Sequence, residues 1–147
     1  NWILFRYAEI LLNYAEAMVN AYGDPDYTGS YSLSARDAVN QVRNRGDVKM
    51  PAYPTDMKKD AFLKRLRNER RVEFAFEGQR FWDLRRWKEL DNMQNIYKVK
   101  VVKQTDGTIQ YTKVLHATYN IQDKMYFYPI SNTELFKNHK LVQNTGW

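Results

Sequence analysis

The sequence predicts a mainly helical protein in which antiparallel helix pairs are followed by one small β-hairpin and an irregular C-terminal tail. Over about the first 90 residues, apolar side chains recur three and four positions apart, the period of an amphipathic helix. The period then changes to two, as in a strand. A chain of 147 residues, 44% of them apolar, is long enough for one domain with a core, and we assign that domain to residues 1–147.

Four helices are predicted from this period and from the residues that begin and end it. Gly23 ends the first helix, and Ser34 with Asp37 three residues later begins the second with a capping-box pattern. Thr55 can cap the third helix, and Gly78 ends it. The predicted helices cover about 3–22, 34–45, 57–77 and 79–90.

A β-hairpin is predicted over about 97–116. Its two alternating segments flank Asp106-Gly107, a dipeptide that is typical of a tight two-residue turn. Ser131 and Glu134 can cap one last helical turn. The remaining tail, 141–147, has no periodicity and is predicted to be irregular.

The composition excludes several classes of site. The chain has no cysteine, which excludes disulfides, thiolate metal sites and a cysteine nucleophile. Its two histidines, His116 and His139, have no second ligand at helical or hairpin spacing, so neither a metal nor another cofactor is expected. Common catalytic motifs and apolar runs long enough to span a membrane are also missing, and we predict a protein that is not an enzyme.

Charged residues fall on the apolar face of the predicted third helix. At 100° per residue, Arg70, Glu73 and Glu77 lie on the same side as Leu66. With Glu69 they place like charges four residues apart, which is unfavourable unless cations lie between them. The sequence therefore predicts ion pairs on an inner helix face.

Three explanations account for charges in such a position. The favoured one is a buried network that fixes how the helices dock, with Arg6, Arg36 or Arg43 as outside partners. Glycoside hydrolysis is disfavoured because successive turns of one helix place carboxylates side by side, whereas hydrolysis needs them on opposite sides of a sugar. A nucleic-acid surface is disfavoured because acids interrupt the arginines.

Three tyrosines lie in predicted loops with few apolar neighbours. They are Tyr27, Tyr31 and Tyr53, and an exposed ring of this kind can stack on a sugar while its hydroxyl forms hydrogen bonds. The alternative is that these rings fold back over the edge of the core. Tyr27, Tyr31 and Tyr53 are the candidate ligand-binding residues.

Separated blocks of the sequence resemble the SusD/RagB family, and they occur in the order found in that family. The stretch 69–87 resembles the signature of the family. The stretch 6–17 resembles its preceding helix, 42–45 its short second helix, and 128–130 with 143–147 its closing segment.

The resemblance implies tetratricopeptide-like helix pairs in a surface-exposed, nutrient-binding lipoprotein of the outer membrane of Bacteroidetes-type bacteria. Such proteins cap a SusC-like TonB-dependent porin and hand it oligosaccharides or other nutrients. Family members are several times longer and carry a lipidated cysteine at the N-terminus. This chain would then be a C-terminal portion, attached to the membrane only by a lipid outside it. No ligand residue is carried over by motif.

The expected function is non-catalytic binding of an oligosaccharide or related nutrient for delivery to the porin, with no nucleic-acid partner. An alternative from a different class stays open at this point. The helix pairs can instead form a protein-interaction scaffold that has no ligand site of its own in this part of the chain.

Overall fold

The computed structural model describes residues 4–46 and 48–147, and it confirms the mainly helical fold class with one small antiparallel sheet. The chain divides into two compact units, one reaching to Arg80 and the other covering Phe81–Trp147. The helices and strands of the described residues are α1 (Tyr7–Tyr22), α2 (Ala35–Arg43), α3 (Lys59–Glu73), α4 (Gln79–Arg86), β1 (Asn95–Lys103), β2 (Ile109–Thr118) and α5 (Asn132–Lys137).

The first unit is built on an antiparallel pair of helices of the tetratricopeptide-like kind, α1 and α2. The Tyr14 hydroxyl, in the middle of α1, donates to the carbonyl of Leu33 just before α2 at 2.5 Å. At the other end, Tyr7 at the start of α1 and Val42 at the end of α2 line the same groove. Helix α3 packs against α1 as well.

The core of this unit contains side chains from all three helices and two from the connecting segments. Fully burying a large apolar side chain contributes about 1.5 to 3 kcal/mol, so these residues supply most of the stabilisation of the unit. The core residues are Leu11, Leu12, Ala15, Met18, Val19, Ala35, Ala38, Val39, Val42, Tyr53, Phe62, Leu66 and Phe74.

The helix starts differ from the predictions in two places. Helix α1 begins at Tyr7, later than predicted, and the predicted start at residue 3 lies outside the described residues. Helix α2 begins as predicted, because the Ser34 hydroxyl accepts from the backbone of Asp37 in a capping box. The prediction of a Thr55 cap for α3 is wrong, since that helix starts after Lys58 without a side-chain cap.

Helix α3 ends at Glu73, four residues before the predicted end at residue 77. The Glu73 carbonyl accepts from Arg6 at 2.9 Å, and the backbone N–H of Glu77 donates instead to the carbonyl of Phe74 at 3.1 Å. An arginine from outside the helix therefore takes the carbonyl that the next turn would have used. Gly78 does adopt the predicted left-handed conformation, with φ of 78°.

Helix α4 ends at Arg86 rather than at residue 90. Lys88 takes a left-handed φ of 56°, its N–H donates to Arg85, and the N–H of Glu89 donates to Leu84. These bonds form a Schellman motif, which satisfies the last carbonyls of a helix and ends it. A lysine in the left-handed position carries no sequence signal comparable to that of glycine, so the end was missed.

The β-hairpin is present and slightly longer than predicted. Strand β1 pairs antiparallel with β2, with an irregularity between Ile96 and Tyr97 at which His116 is the extra residue. The prediction of a two-residue turn is wrong. The N–H of Gln104 donates to the carbonyl of Thr108, which leaves a three-residue loop with Gly107 at φ of 87°.

One face of this hairpin is mostly apolar and is exposed, with Lys103 and Lys113 beside the apolar side chains. The register places six large apolar side chains on that face, each of them more than half exposed except Tyr97, which is half exposed. A two-stranded sheet is marginally stable alone, so a face of this kind is suited to contact with another surface. The residues of this hairpin face are Tyr97, Val99, Val101, Ile109, Tyr111 and Leu115.

The irregular tail is held by side-chain hydrogen bonds. The Gln143 amide bonds both the N–H and the carbonyl of Ile130, at 2.8 and 2.9 Å. The Trp147 indole donates to the carbonyl of Lys124 at 2.9 Å. Helix α5 is present before the tail, but the predicted Ser131 cap is not made.

Candidate functional site

Three tyrosines at one end of the first unit form an exposed group of rings, which we call the tyrosine cluster (Tyr22, Tyr27 and Tyr31). The Tyr22 and Tyr27 rings stack with centroids 4.2 Å apart and planes at 23°. The Tyr31 ring lies 6.1 Å from that of Tyr22, and the two hydroxyl oxygens are 3.1 Å apart. The hydrogen bond between them raises the pKa of the Tyr22 phenol.

The fold brings these rings together through a tight turn and a short loop. Tyr22 is the last residue of α1, and Gly23 then reverses the chain with φ of 77°. Two further turns follow, in which Tyr27 N–H donates to the carbonyl of Asp24 and Tyr31 N–H to that of Thr28. These local hydrogen bonds therefore place the rings of Tyr27 and Tyr31 next to Tyr22 at the end of α1.

Gly29 lies against the Tyr27 ring. Its φ is 51°, and a Cβ built on it would lie 2.4 Å from the Tyr27 hydroxyl oxygen and 2.7 Å from the ring carbon that bears it. Any larger residue at this position would have to move the ring. The close approach of backbone and ring fixes the position of Tyr27 in the cluster.

The cluster has the chemistry of a stacking surface. Tyr22 is 44% exposed, Tyr27 38% and Tyr31 46%, so part of each ring is open to a ligand. Ring faces can contact the C–H face of a sugar, and the hydroxyls can donate or accept hydrogen bonds. A role for Tyr27 and Tyr31 in ligand binding stays a prediction, and Tyr22 is a residue that sequence reasoning missed.

Tyr53 does not belong to this surface. It is 2% exposed, its N–H donates to the Asn40 amide oxygen at 2.8 Å, and its ring meets Phe62 edge to face at 5.5 Å. Burial raises the pKa of its phenol well above the usual range, and the Glu69 carboxylate adds to that effect. The prediction of an exposed Tyr53 ring is therefore wrong. The hydrogen bond to Asn40 of α2 holds this segment against the helix, and the ring packs in the core.

A polar groove lies in the same unit, between α2 and the segment that follows it. Its volume is about 760 Å³, which is within the usual range for small-ligand sites. Leu33, two residues after Tyr31, is part of its wall. Four carboxamide or carboxylate side chains line it together with three apolar ones, and the lining is Leu33, Asp37, Asn40, Gln41, Asn44, Met50 and Ala52.

The predicted charge network is present, and its centre is Glu73. The Glu73 carboxylate pairs with Arg6 at 2.8 Å and with Arg45, and its side chain is 9% exposed. Glu77 pairs with the same Arg6 at 2.8 Å, although it lies beyond the end of α3 and its side chain is 40% exposed. The prediction that Glu77 belongs to the inner face of α3 is therefore wrong.

A second part of the network ties α2 to α3. Arg43 donates to the Glu69 carboxylate and, at 2.7 Å, to the carbonyl of Pro51. The Tyr53 hydroxyl donates to the same carboxylate at 3.3 Å. Arg6 and Arg43 are thus confirmed as outside partners of the α3 carboxylates, whereas Arg36 pairs with Asp26.

The carboxylates of this network are suited to structure rather than to acid catalysis. Burial raises the pKa of the Glu73 carboxyl, but hydrogen bonds from Arg45 and Arg6 outweigh burial and hold the pKa below its usual range. A general acid needs the opposite, a carboxyl that keeps its proton near neutral pH. Glu73 therefore acts as a charged partner for two arginines.

The lowered pKa of Glu73 predicts how stability depends on pH. A carboxyl with a depressed folded-state pKa stabilises the protein above its unfolded value of about 4.3, and that contribution is lost as pH falls through the folded value. Glu73→Gln should lower the free energy of unfolding by about 1 to 2 kcal/mol above pH 5, with a smaller difference at pH 3.

Urea unfolding of both proteins between pH 3 and 7 measures this effect. Glu134→Gln is the matched control, because Glu134 is 55% exposed and pairs with Lys137 on the same short helix. A constant difference between wild type and Glu73→Gln at all these pH values would contradict the assignment.

Among residues 4–46 and 48–147, no three His, Asp or Glu side chains come together as a metal site requires. None of the helices there combines the length and the apolar character needed to span a bilayer.

Comparisons with known proteins agree on one family. The sequence profile of the SusD family matches residues 1–147. Two SusD-like proteins of Formosa agariphila, P38 and P2, are 37% identical over 90 residues and 33% identical over 93 residues. These stretches are 57% and 60% of this chain but 16% and 17% of those relatives.

A solved structure shows the same fold. A SusD-like protein from Bacteroides fragilis NCTC 9343 superimposes over 100% of this chain with a TM-score of 0.80 and 34% sequence identity. The match covers 26% of that protein, so this chain spans about a quarter of its length.

Proposed function

Because the chain belongs to the SusD family, we propose that it is part of a surface-exposed outer-membrane lipoprotein that binds an oligosaccharide or related nutrient. It binds this nutrient without changing it chemically and passes it to a SusC-like TonB-dependent porin. The lipid anchor lies outside this chain, which has no cysteine to carry one.

The observation that carries the proposal is the tyrosine cluster. Three partly exposed rings held by local turns form a preorganised surface, and rings fixed before binding lose little entropy when a ligand stacks on them. Sugars offer C–H faces and hydroxyls, and the cluster offers ring faces and phenols. We assign further hydrogen bonds to a longer oligosaccharide to the polar groove, whose lining includes Leu33, two residues after Tyr31.

The test is isothermal calorimetry of the intact protein against a panel of oligosaccharides that differ in sugar and linkage. Tyr27→Ala and Tyr31→Ala should each weaken the best ligand about tenfold, which corresponds to ~1.4 kcal/mol. Tyr111→Ala is the matched control, because this tyrosine is exposed but lies on the hairpin face. No heat with any glycan, or equal affinity of all four proteins, would contradict sugar binding at the cluster.

Substitution of Gly29 tests the geometry of the cluster without removing a ring. Gly29→Ala should displace the Tyr27 ring and weaken glycan binding severalfold, because the new Cβ would occupy the space of that ring. Gly107→Ala is the control, since Gly107 also has a positive φ but has no atom within 4 Å of the added Cβ. Both variants should lose about 1 to 2 kcal/mol of stability from backbone strain. Equal glycan affinity of the two variants would show that the ring position is unimportant.

A scaffold role is the second candidate, and the hairpin face favours it. Six exposed apolar side chains on one side of a two-stranded sheet are typical of a protein contact surface. We assign this face to the porin. Tyr111→Ala should then weaken co-purification of the porin while sugar affinity stays unchanged, and Tyr27→Ala should do the reverse. If Tyr27→Ala instead weakens the porin complex and no glycan binds, the chain is a scaffold.

A further inference from the structure

We infer that a pocket within Phe81–Trp147 binds a small apolar carboxylic acid, with its carboxylate at Arg85. The pocket has a volume of about 490 Å³, which suits a small ligand. Seven of its nine lining residues are aliphatic, aromatic or methionine, and the other two are Arg85 and Asn120. The inference concerns a site separate from the tyrosine cluster and does not depend on sugar binding.

The apolar walls define the larger part of the ligand. Leu90 and Met93 come from the segment that leads into β1, Ile96 lies at the start of β1, and Ile121 and Met125 come from the segment that follows β2. The open end of the hairpin lies beside this pocket. Asn95 pairs with Thr118 there, and the neighbouring Ile96 and Tyr119 are lining residues. A flexible methionine on either side allows such walls to adapt to an alkyl chain or an aryl ring.

Arg85 defines the charged part of the ligand. Its guanidinium carbon lies 3.5 Å from the centroid of the Phe81 ring, and Nη1 donates to the Phe81 carbonyl at 3.2 Å. Its Nε is buried, so a ligand in the pocket contacts the terminal Nη atoms, and the guanidinium carbon also lies 5.5 Å from the centroid of the Tyr128 ring. Within 4–46 and 48–147, no carboxylate forms an ion pair with Arg85.

A cation at the wall of an apolar pocket is costly unless an anion accompanies it. A guanidinium binds carboxylates through two parallel hydrogen bonds, and it does so best where water is excluded. The ligand that satisfies both parts of the pocket is therefore an alkyl or aryl carboxylate, with its chain against the methionines and isoleucines.

Calorimetry on the intact protein tests this inference, with octanoate and decanoate below their critical micelle concentrations and decanol below its solubility limit. Each buried methylene adds ~0.8 kcal/mol, about fourfold in affinity, so decanoate should bind roughly 15-fold more tightly than octanoate. Arg85→Met should weaken decanoate at least tenfold and change decanol less than threefold. Lys98→Met, which removes an exposed strand lysine, controls for the loss of one positive charge.

A pocket-filling variant locates the ligand. Met125→Trp should abolish binding of both decanoate and decanol, and a melting curve shows whether the variant is folded. If it does not fold, Ile121→Phe serves the same purpose. The inference is overturned if decanoate does not bind the wild type, which is the result expected if another part of a longer polypeptide fills the pocket. It is also overturned if Arg85→Met binds decanoate as the wild type does, or if filling the pocket leaves the affinity unchanged.

Discussion

Glu69→Ala should lower the free energy of unfolding by about 3 to 5 kcal/mol, because it leaves a buried guanidinium without its anion. The side chain of Arg43 is 6% exposed, and Glu69 is the carboxylate with which it pairs. The carbonyl of Pro51 would remain as an acceptor, but it carries no net charge. The substitution also removes the acceptor of the Tyr53 hydroxyl, which is buried in the core.

Urea unfolding at pH 7 measures this loss, with Glu69→Gln as a conservative variant and Glu134→Ala as the control. Glu69→Gln keeps an acceptor oxygen for Arg43 and should fall between wild type and Glu69→Ala. Glu134→Ala breaks an exposed pair and should change stability by less than about 1 kcal/mol. If Glu69→Ala proved as mild as Glu134→Ala, the α2–α3 network would be no more than a surface feature.

Arg36→Met should be the other severe substitution, and we expect it to lower the free energy of unfolding by about 3 kcal/mol or more. The Arg36 side chain is 4% exposed, and its guanidinium joins three parts of the first unit. It bonds Asp26 through Nε at 2.6 Å and Nη2 at 2.9 Å, and it donates to the carbonyls of Pro54, Thr55 and Met57. Methionine has a similar length but no donor, so these carbonyls would lose their partner inside the fold.

Asp26→Asn is the informative companion, because it removes the other end of the same pair. The Asp26 side chain is 49% exposed, and its hydrogen bond to Arg36 holds its pKa below the usual range. Water can replace much of this exposed interaction, so Asp26→Asn should cost only about 1 kcal/mol. Equal losses in Arg36→Met and Asp26→Asn would mean that the ion pair, and not the set of carbonyls, is what Arg36 contributes.

Local signals in the sequence predicted the helices well. Ser34 and Asp37 predicted both the start of α2 and its capping box, because the cap needs only residues three positions apart. Gly23 predicted the end of α1 for the same reason. Arg6 and Arg43 were named as partners of the α3 carboxylates because inner-face acids require cations from elsewhere.

Long-range contacts explain the failures at the end of α3 and at Tyr53. The end of α3 depends on Arg6, which is 67 residues away from Glu73 in sequence. The projection at 100° per residue placed Glu77 on the inner face because it assumed that the helix continues, whereas α3 ends at Glu73. Tyr53 is drawn inward by Asn40, 13 residues away. Neither bond leaves a local pattern in the sequence.

Tyr22 was missed for a different reason. It continues the three-and-four spacing of α1, so the sequence assigned it to the buried stripe. It is the last residue of that helix, and it is 44% exposed. An aromatic residue directly before a helix-ending glycine, followed by a tyrosine-rich loop, is the signal that could have identified it.

The most direct test of sugar binding at the tyrosine cluster is NMR of the intact protein with labelled tyrosine rings, during titration with its best glycan ligand. Shift changes should be largest for the ring signals of Tyr22, Tyr27 and Tyr31, and those of the buried Tyr53 and the hairpin Tyr111 should stay unchanged. Glycan binding that shifts other tyrosines and leaves these three unchanged would contradict the assignment.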